Sequence, residues 1–264
     1  MIPGHIVEVG GIPIRLGTED PRLLEIIRTR YSDFITTARP AAAFNLALTV
    51  GRGRPAKSDE LRVTRLNGSW KMARGDFDAE WSPETGRGRI RQARRNPYSI
   101  DAVLRIIHTL VLARQGGFLL HAASAILDGS ALIFSGVSGA GKSTIASYAP
   151  ADAVLLTDEI SYVRSGEGGY RAFGTPFAGE LGRPGRSVSA PVRSLYLIEH
   201  GEKNAFRPIG PGEAAAALLR NILFFAQDAE LVRLVFQTAC DFAARVPVYR
   251  LRFVPDSSVW EMLR

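Results

Sequence analysis

The stretch from Ala131 to Tyr148 constrains this chain more than any other. An apolar run, Ala131-Leu-Ile-Phe-Ser135, leads into Gly136-Val137-Ser138-Gly139-Ala140-Gly141-Lys142-Ser143-Thr144, and a short helix is expected from Lys142 to Tyr148, stopped by Pro150. Glycines at 136 and 141 followed by Lys and Ser, set between a strand and a helix, form the pattern of a loop that curls its backbone N–H groups inward around phosphate oxygens. The start of the helix adds its positive dipole end. On this pattern Gly136 to Thr144 hold ATP, Lys142 reaches the β and γ phosphates, and the Ser143 hydroxyl meets Mg²⁺, with Thr144 as a second candidate. The alternative is a flexible strand-to-helix turn.

Downstream, Ala153-Val-Leu-Leu-Thr157 reads as a buried strand ending at Asp158-Glu159. A right-handed crossover would lay this strand parallel and close to the first, so that both carboxylates face the loop. One acid can hold Mg²⁺ while the other accepts a proton from an attacking hydroxyl, and spacing alone leaves the assignment open. His121 lies on the strand Phe118 to Leu127, which the Asp128-Gly129 turn joins to the strand feeding the loop. Between Leu120 and Ala122 it could be an ordinary core histidine, but opposite the loop it can contact phosphate or tune the base. The segment Gly174 to Ser189 is rich in Gly and Pro and is read as an active-site loop. There Arg183 and Arg186 could grip phosphoryl oxygens or an acidic substrate, and Glu180 could orient the acceptor; a plain surface connection is the alternative. His108, near Asp101 and Arg105, is taken as structural.

The chain has 264 residues, 46% of them hydrophobic, enough for a real core. It contains no apolar stretch of the roughly 18 residues a membrane helix needs, and Met1-Ile-Pro-Gly lacks the features of a secretion signal, so a cytoplasmic protein without a membrane partner is expected. The single Cys240 excludes an intramolecular disulfide and a zinc cluster and reads as a small buried hydrophobe. A formal charge of +7 permits anionic partners without choosing among them. The densest basic run, Thr85 to Arg95, holds five arginines and no aromatic residue. It is a solvated loop or a contact for an anionic partner; nucleic acid is not the expected one.

The first part alternates around Gly10-Gly11 as a hairpin over residues 5 to 16, opens a helix at Asp20-Pro21, and continues as strands at Ala43 to Val50, Glu60 to Leu66 and Ser69 to Ala73, with a turn at Asn67-Gly68. Asn96-Pro97 marks the boundary between a small mixed α+β domain, 1–98, and an α/β domain, 99–264. The second opens with a helix from Ser99 to Arg114 facing the core with Val103, Ile107, Leu110 and Val111. It closes with a strand at Pro191 to Ile198, helices at Glu213 to Ala226 and Asp228 to Arg245, and a strand at Val248 to Val254; Phe224, Phe225, Phe236 and Trp260 are expected in the core.

Leu120-His121-Ala122, the hairpin into Gly136 to Thr144, and Leu155-Leu-Thr-Asp158-Glu159 resemble the kinase domain of HPr kinase/phosphorylase over roughly residues 99 to 200. The resemblance implies a phosphoenolpyruvate-carboxykinase-like phosphate-loop fold with a mixed sheet, and transfer of phosphate from ATP to serine. It implies His121 beside the phosphates, Asp158 as base and Glu159, where the family usually has Asp, assisting the metal. Gly174-Thr-Pro-Phe177 and Arg183-Pro-Gly-Arg186 are similar to segments of HPr-kinase-related proteins of bacterial biosynthetic clusters, some of which phosphorylate a serine of a ribosomally made peptide. The Glu-Val-Ala-Ala-Met-Asn signature of the bifunctional enzymes and their docking loop for HPr are not found, so neither phosphorolysis nor HPr as substrate is expected. The expectation is an ATP- and Mg²⁺-dependent serine kinase acting on a protein or peptide. A small-metabolite kinase and a nucleotide-gated binding module remain as alternatives, and a homo-oligomer is left open.

Overall fold

Tight turns set the strand registers in this protein. In the computed structural model, which describes residues 2–36, 43–51 and 60–264, Gly10, Gly11, Asn67 and Gly68 all take positive φ, the geometry that two-residue hairpins require and that Gly and Asn adopt with least strain. β1 (Gly4–Val9) thus folds back on β2 (Ile12–Gly17). The Asp20 carboxylate then accepts from the N–H groups of Arg22 and Leu23 and starts α1 (Pro21–Arg30), which buries Leu23 and Ile27. Four strands follow β3 (Phe44–Val50): β4 (Arg62–Leu66), β5 (Ser69–Arg74), β6 (Phe77–Ser82) and β7 (Arg87–Gln92). Together they form a mixed sheet in the order β1-β2-β3-β7-β6-β5-β4, with β2, β3 and β7 parallel.

Most of the arginine run is therefore not a loop. It is β7, an inner strand between β3 and β6. Ile90 and Gln92 are buried while Arg87, Arg89 and Arg91 are exposed, so the charges are one face of an alternating strand. Opposite them β6 carries acids: Arg89 lies 3.1 Å from Glu80 and Arg91 3.8 Å from Asp78. Cross-strand pairing explains why a strand can hold so many arginines without an external anion.

α2 (Tyr98–Arg114) begins where the Asn96 side chain accepts from the Ser99 N–H at 3.1 Å. Val103, Ile107 and Leu110 are buried, as are Ile100, Leu104, Ile106 and Leu112. His108 is buried among them, and burial pushes its pKa down to about 3, which leaves the ring neutral. The chain divides into two compact units within this helix: Met1–Leu110 with Phe225–Asp228, and Val111–Phe224 with Ala229–Arg264. The sequence division lay after residue 98.

The second unit is built on β8 (Gly117–Leu127) and β9 (Ser130–Ser135), a hairpin turning at Asp128 and Gly129, both at positive φ. α3 (Lys142–Ser147), β10 (Val154–Thr157), β11 (Ile160–Gly166), β12 (Gly169–Phe173) and β13 (Ser189–His200) follow. Then come β14 (Ala205–Pro208), α4 (Pro211–Asn221), β15 (Ile222–Leu223), α5 (Ala229–Arg245), β16 (Val248–Phe253) and α6 (Ser258–Met262). The first half of β8 pairs with β11, and its second half pairs with β9 on one edge and β10 on the other. β9 runs parallel to β13, and β13 to β16. Alternate residues of these strands face opposite ways. Leu120, Ile133 and Leu197 join Leu218 and Phe242 of α4 and α5, while Phe134, Tyr196 and Ile198 join Ile145 and Trp260 of α3 and α6. Both faces are covered, as continuous apolar strands require. The chain is thus mixed α/β with two mixed sheets.

Several expectations need correction. β10 does not lie beside β9: β8 occupies one edge of β9 and β13 the other, so β10 takes the outer edge of β8 and shares only the direction of β9. The helix expected to reach Ala226 stops at Asn221, where β15 pairs with β8. Trp260 is buried, but Phe236 is 53% exposed and Phe224 and Phe225 are half-buried. Among the described residues no helix is long and apolar enough to cross a membrane.

Candidate functional site

Two adjacent residues of β8 assemble the site. Ala122 pairs with Ser135, the last residue of β9, and His121 pairs with Ile160, the first of β11. The glycine loop and the acidic pair therefore leave the sheet side by side. Ser135 Oγ donates to the His121 carbonyl at 3.2 Å, and the Ala122 N–H donates to the Glu159 carbonyl at 3.0 Å. Between β10 and β11 the Thr157 hydroxyl accepts from the N–H groups of Glu159 and Ile160, at 3.2 and 3.1 Å, which fixes the corner carrying Asp158 and Glu159.

In the loop, Gly139 and Gly141 take φ of 78° and 96°, and a Cβ on Gly141 would stand 2.7 Å from the Phe253 ring. No other residue satisfies both constraints. Among the described residues the N–H groups of Ser138, Gly139 and Gly141 donate to no backbone carbonyl. Lys142 is 7% exposed, and its ammonium donates to the carbonyls of Gly136 and Val137 at 3.1 and 3.0 Å. Burial lowers its pKa, and the charges of Glu180 and Glu159 pull it back up.

Lys142 and these acids share a cleft of about 610 Å³, lined also by His121, Ser138, Gly139, Gly141, Ser143, Thr144, Asp158, Ala178 and Gly179. That volume lies within the range of small-ligand sites, about 300–1,000 Å³. Gly136, Val137 and Ala140 belong to the loop but face elsewhere. Gly136 packs on Ile198, Ala140 is buried, and Val137 is 74% exposed.

Asp158 is 2% exposed, and each of its carboxylate oxygens accepts one backbone N–H, from Gly179 at 2.9 Å and Leu181 at 2.8 Å. The Gly174 to Ser189 segment is thus irregular but anchored: the N–H groups of Thr175 and Arg186 donate to the carbonyls of Leu156 and Leu155 on β10, at 3.0 and 3.1 Å. It brings Glu180 to the cleft and leaves Arg183 and Arg186 exposed, outside the lining. Ser143, Asp158 and Glu159 face the same space. Among the described residues no group of three or more His, Cys, Asp or Glu side chains is arranged to hold a metal ion. A Mg²⁺ ion that takes phosphate oxygens and waters for most of its six positions needs only one or two protein ligands, so this donor set fits that use.

Sequence reasoning missed the N–H groups that hold Asp158, since any residue carries one, and it missed His200. The His200 Nε2 lies 3.2 Å from the Gly139 carbonyl oxygen, and its ring stacks on Phe253. Only its place at the end of a strand beside the loop could have drawn notice.

No curated protein matches the chain. A family model described as SynChlorMet cassette protein ScmC matches residues 94–264, more than half of the chain and every residue of the cleft, and the chain belongs to that family.

Proposed function

We propose that this protein is an ATP- and Mg²⁺-dependent phosphotransferase on a phosphate-loop fold, acting on a serine hydroxyl of a protein or ribosomally made peptide. The observation that carries this is the buried Lys142 ammonium, held under a glycine loop and sharing one cleft with Asp158, Glu159 and Glu180 from two other segments. A cation sharing a cleft with carboxylates, and with loop residues whose N–H groups donate to no backbone carbonyl among the described residues, suits a triphosphate on one side and a proton-losing hydroxyl on the other. Lys142 and the N–H groups of Ser138, Gly139 and Gly141 would hold phosphate oxygens. Ser143 and one of the two adjacent acids would hold Mg²⁺, which would supply positive charge against the phosphates. Each oxygen of Asp158 keeps a lone pair beyond the N–H it accepts, enough to take the proton of the attacking hydroxyl. His121, on the same wall, would contact phosphate or the base. Choice of serine in a peptide rests on the likeness of Leu120-His121-Ala122 to the kinase domain of HPr kinase/phosphorylase, and of Gly174 to Phe177 and Arg183 to Arg186 to the HPr-kinase-related proteins.

The test is incubation with γ-labelled ATP, Mg²⁺ and an extract of the native host, with Asp158→Asn in parallel. Label on one protein or peptide, absent with the variant, is the expected result. Label on a small molecule would make the protein a metabolite kinase, and ATP binding without any transfer would reduce it to a nucleotide-gated module.

A further inference from the structure

The cleft offers partners for phosphates and an acceptor, but a nucleotide also carries a base. In the sheet β9 has the acid-bearing side, β8 and β10, on one edge and β13 on the other. β9, β13 and β16 run parallel, so their C-terminal ends lie along one edge of the sheet, where open α/β sheets take ligands. β13 outruns β9: Leu197 pairs with Ser135, and the strand continues to His200, which pairs with Phe253 at the end of β16.

The His200 ring is held on two sides. One face stacks on the fully buried Phe253, with ring centroids 5.5 Å apart and planes 29° from parallel. One edge meets the glycine loop, with Nε2 3.2 Å from the Gly139 carbonyl oxygen and Cε1 3.2 Å from where a Gly141 Cβ would stand. The residue is nonetheless exposed. A planar aromatic ring fixed by packing, open to solvent and in contact with the loop on the side away from the acids has the properties of a stacking platform.

We propose that His200, backed by Phe253, is the seat of the nucleotide's base, with the triphosphate running from it along the glycine loop toward Lys142 and Asp158. This rests on the phosphate-loop function proposed above. Stacking uses the π face and not hydrogen-bonding edges, so the ring and not the imidazole nitrogens does the binding.

Calorimetric titration with ATP and with inorganic tripolyphosphate, each with Mg²⁺, separates this from mere support of the loop. For His200→Ala, ATP affinity is expected to fall about tenfold, as loss of one base–aromatic stack does, while tripolyphosphate affinity stays unchanged and so certifies the folded loop. His200→Phe, which keeps a ring and loses Nε2, should bind ATP like the wild type. Equal losses for both ligands in His200→Ala would assign the ring to loop support and overturn the proposal, as would unchanged ATP affinity. A wild-type protein that binds neither ligand would overturn the phosphate-loop function itself, and the base seat with it.

Discussion

The second unit holds two glycine-rich segments, Gly136 to Thr144 and Gly174 to Ser189, and they differ in what two of the glycines in each supply. In the first, Gly139 and Gly141 supply positive φ, and with Ser138 they line the cleft while their N–H groups donate to no backbone carbonyl among the described residues. In the second, Gly174 and Gly185 supply closeness. A Cβ on either would come within 1.7 Å of a backbone oxygen, that of Arg186 for Gly174 and that of Leu156 for Gly185. The first segment lines the cleft, and the second is locked against β10. The lock matters because the same segment delivers the two N–H groups that hold Asp158. On the proposed function one segment would bind the phosphates, while the other keeps a carboxylate in place.

The most damaging test of that division is Asp158→Asn, which strikes the point where the locked segment meets the chemistry. Transfer should fall about a thousandfold, the scale of losing a positioned base. An amide oxygen can accept only one of the two N–H groups and its NH₂ would oppose the other, so stability should also drop by about 2 kcal/mol. Thermal unfolding and labelled-ATP transfer read the two effects separately. A variant that kept its transfer rate would leave the locked segment with no catalytic purpose.

Lys142→Ala strikes the first segment. It should cut transfer roughly a hundredfold, the usual cost of one preorganised contact to developing charge. Because among the described residues the Lys142 ammonium donates to carbonyls of its own loop alone, the melting temperature should move less than in Asp158→Asn. A larger loss of stability than of rate would make the ammonium a prop for the loop.

Glycine exchange then tests the lock directly. Gly185→Ala must push the segment off Leu156 and should cost about 3 kcal/mol by overpacking. Gly182→Ala, in the same segment at φ 67° with no atom within 4 Å of the new Cβ, should cost only about 1 kcal/mol of backbone strain. Denaturant unfolding of the pair would show whether closeness or conformation makes glycine necessary there.

How far these roles were legible follows from what each depends on. The strand-to-helix place of the glycine loop was readable from its residue spacing, and the Asp128-Gly129 and Asn67-Gly68 turns because positive φ favours Gly, Asn and Asp. β7 was misread because its exposed face is arginine, and only the acids of β6 beside it make that face tolerable. The place of β10 was misread because it depends on which strand edges are still free, a property of the whole sheet. The lock on Asp158 was hidden for a simpler reason: backbone N–H groups leave no trace in side-chain identity.

Arg183 gives the smallest effect and the finest test. Sequence pattern left it to grip phosphoryl oxygens or an acidic substrate, or to sit on a plain surface connection, and the structure leaves it exposed and outside the cleft lining. If the segment stays locked during turnover, Arg183→Ala should change stability by less than about 0.5 kcal/mol, as exposed substitutions do. The maximal transfer rate should then be unchanged, with any loss confined to KM for an acidic substrate. Steady-state kinetics with varied acceptor separates the two parameters. A tenfold fall in kcat would place the guanidinium on the transferring group, and the segment from Gly182 to Ser187 would then have to swing over the cleft while Gly179 and Leu181 keep their hold on Asp158.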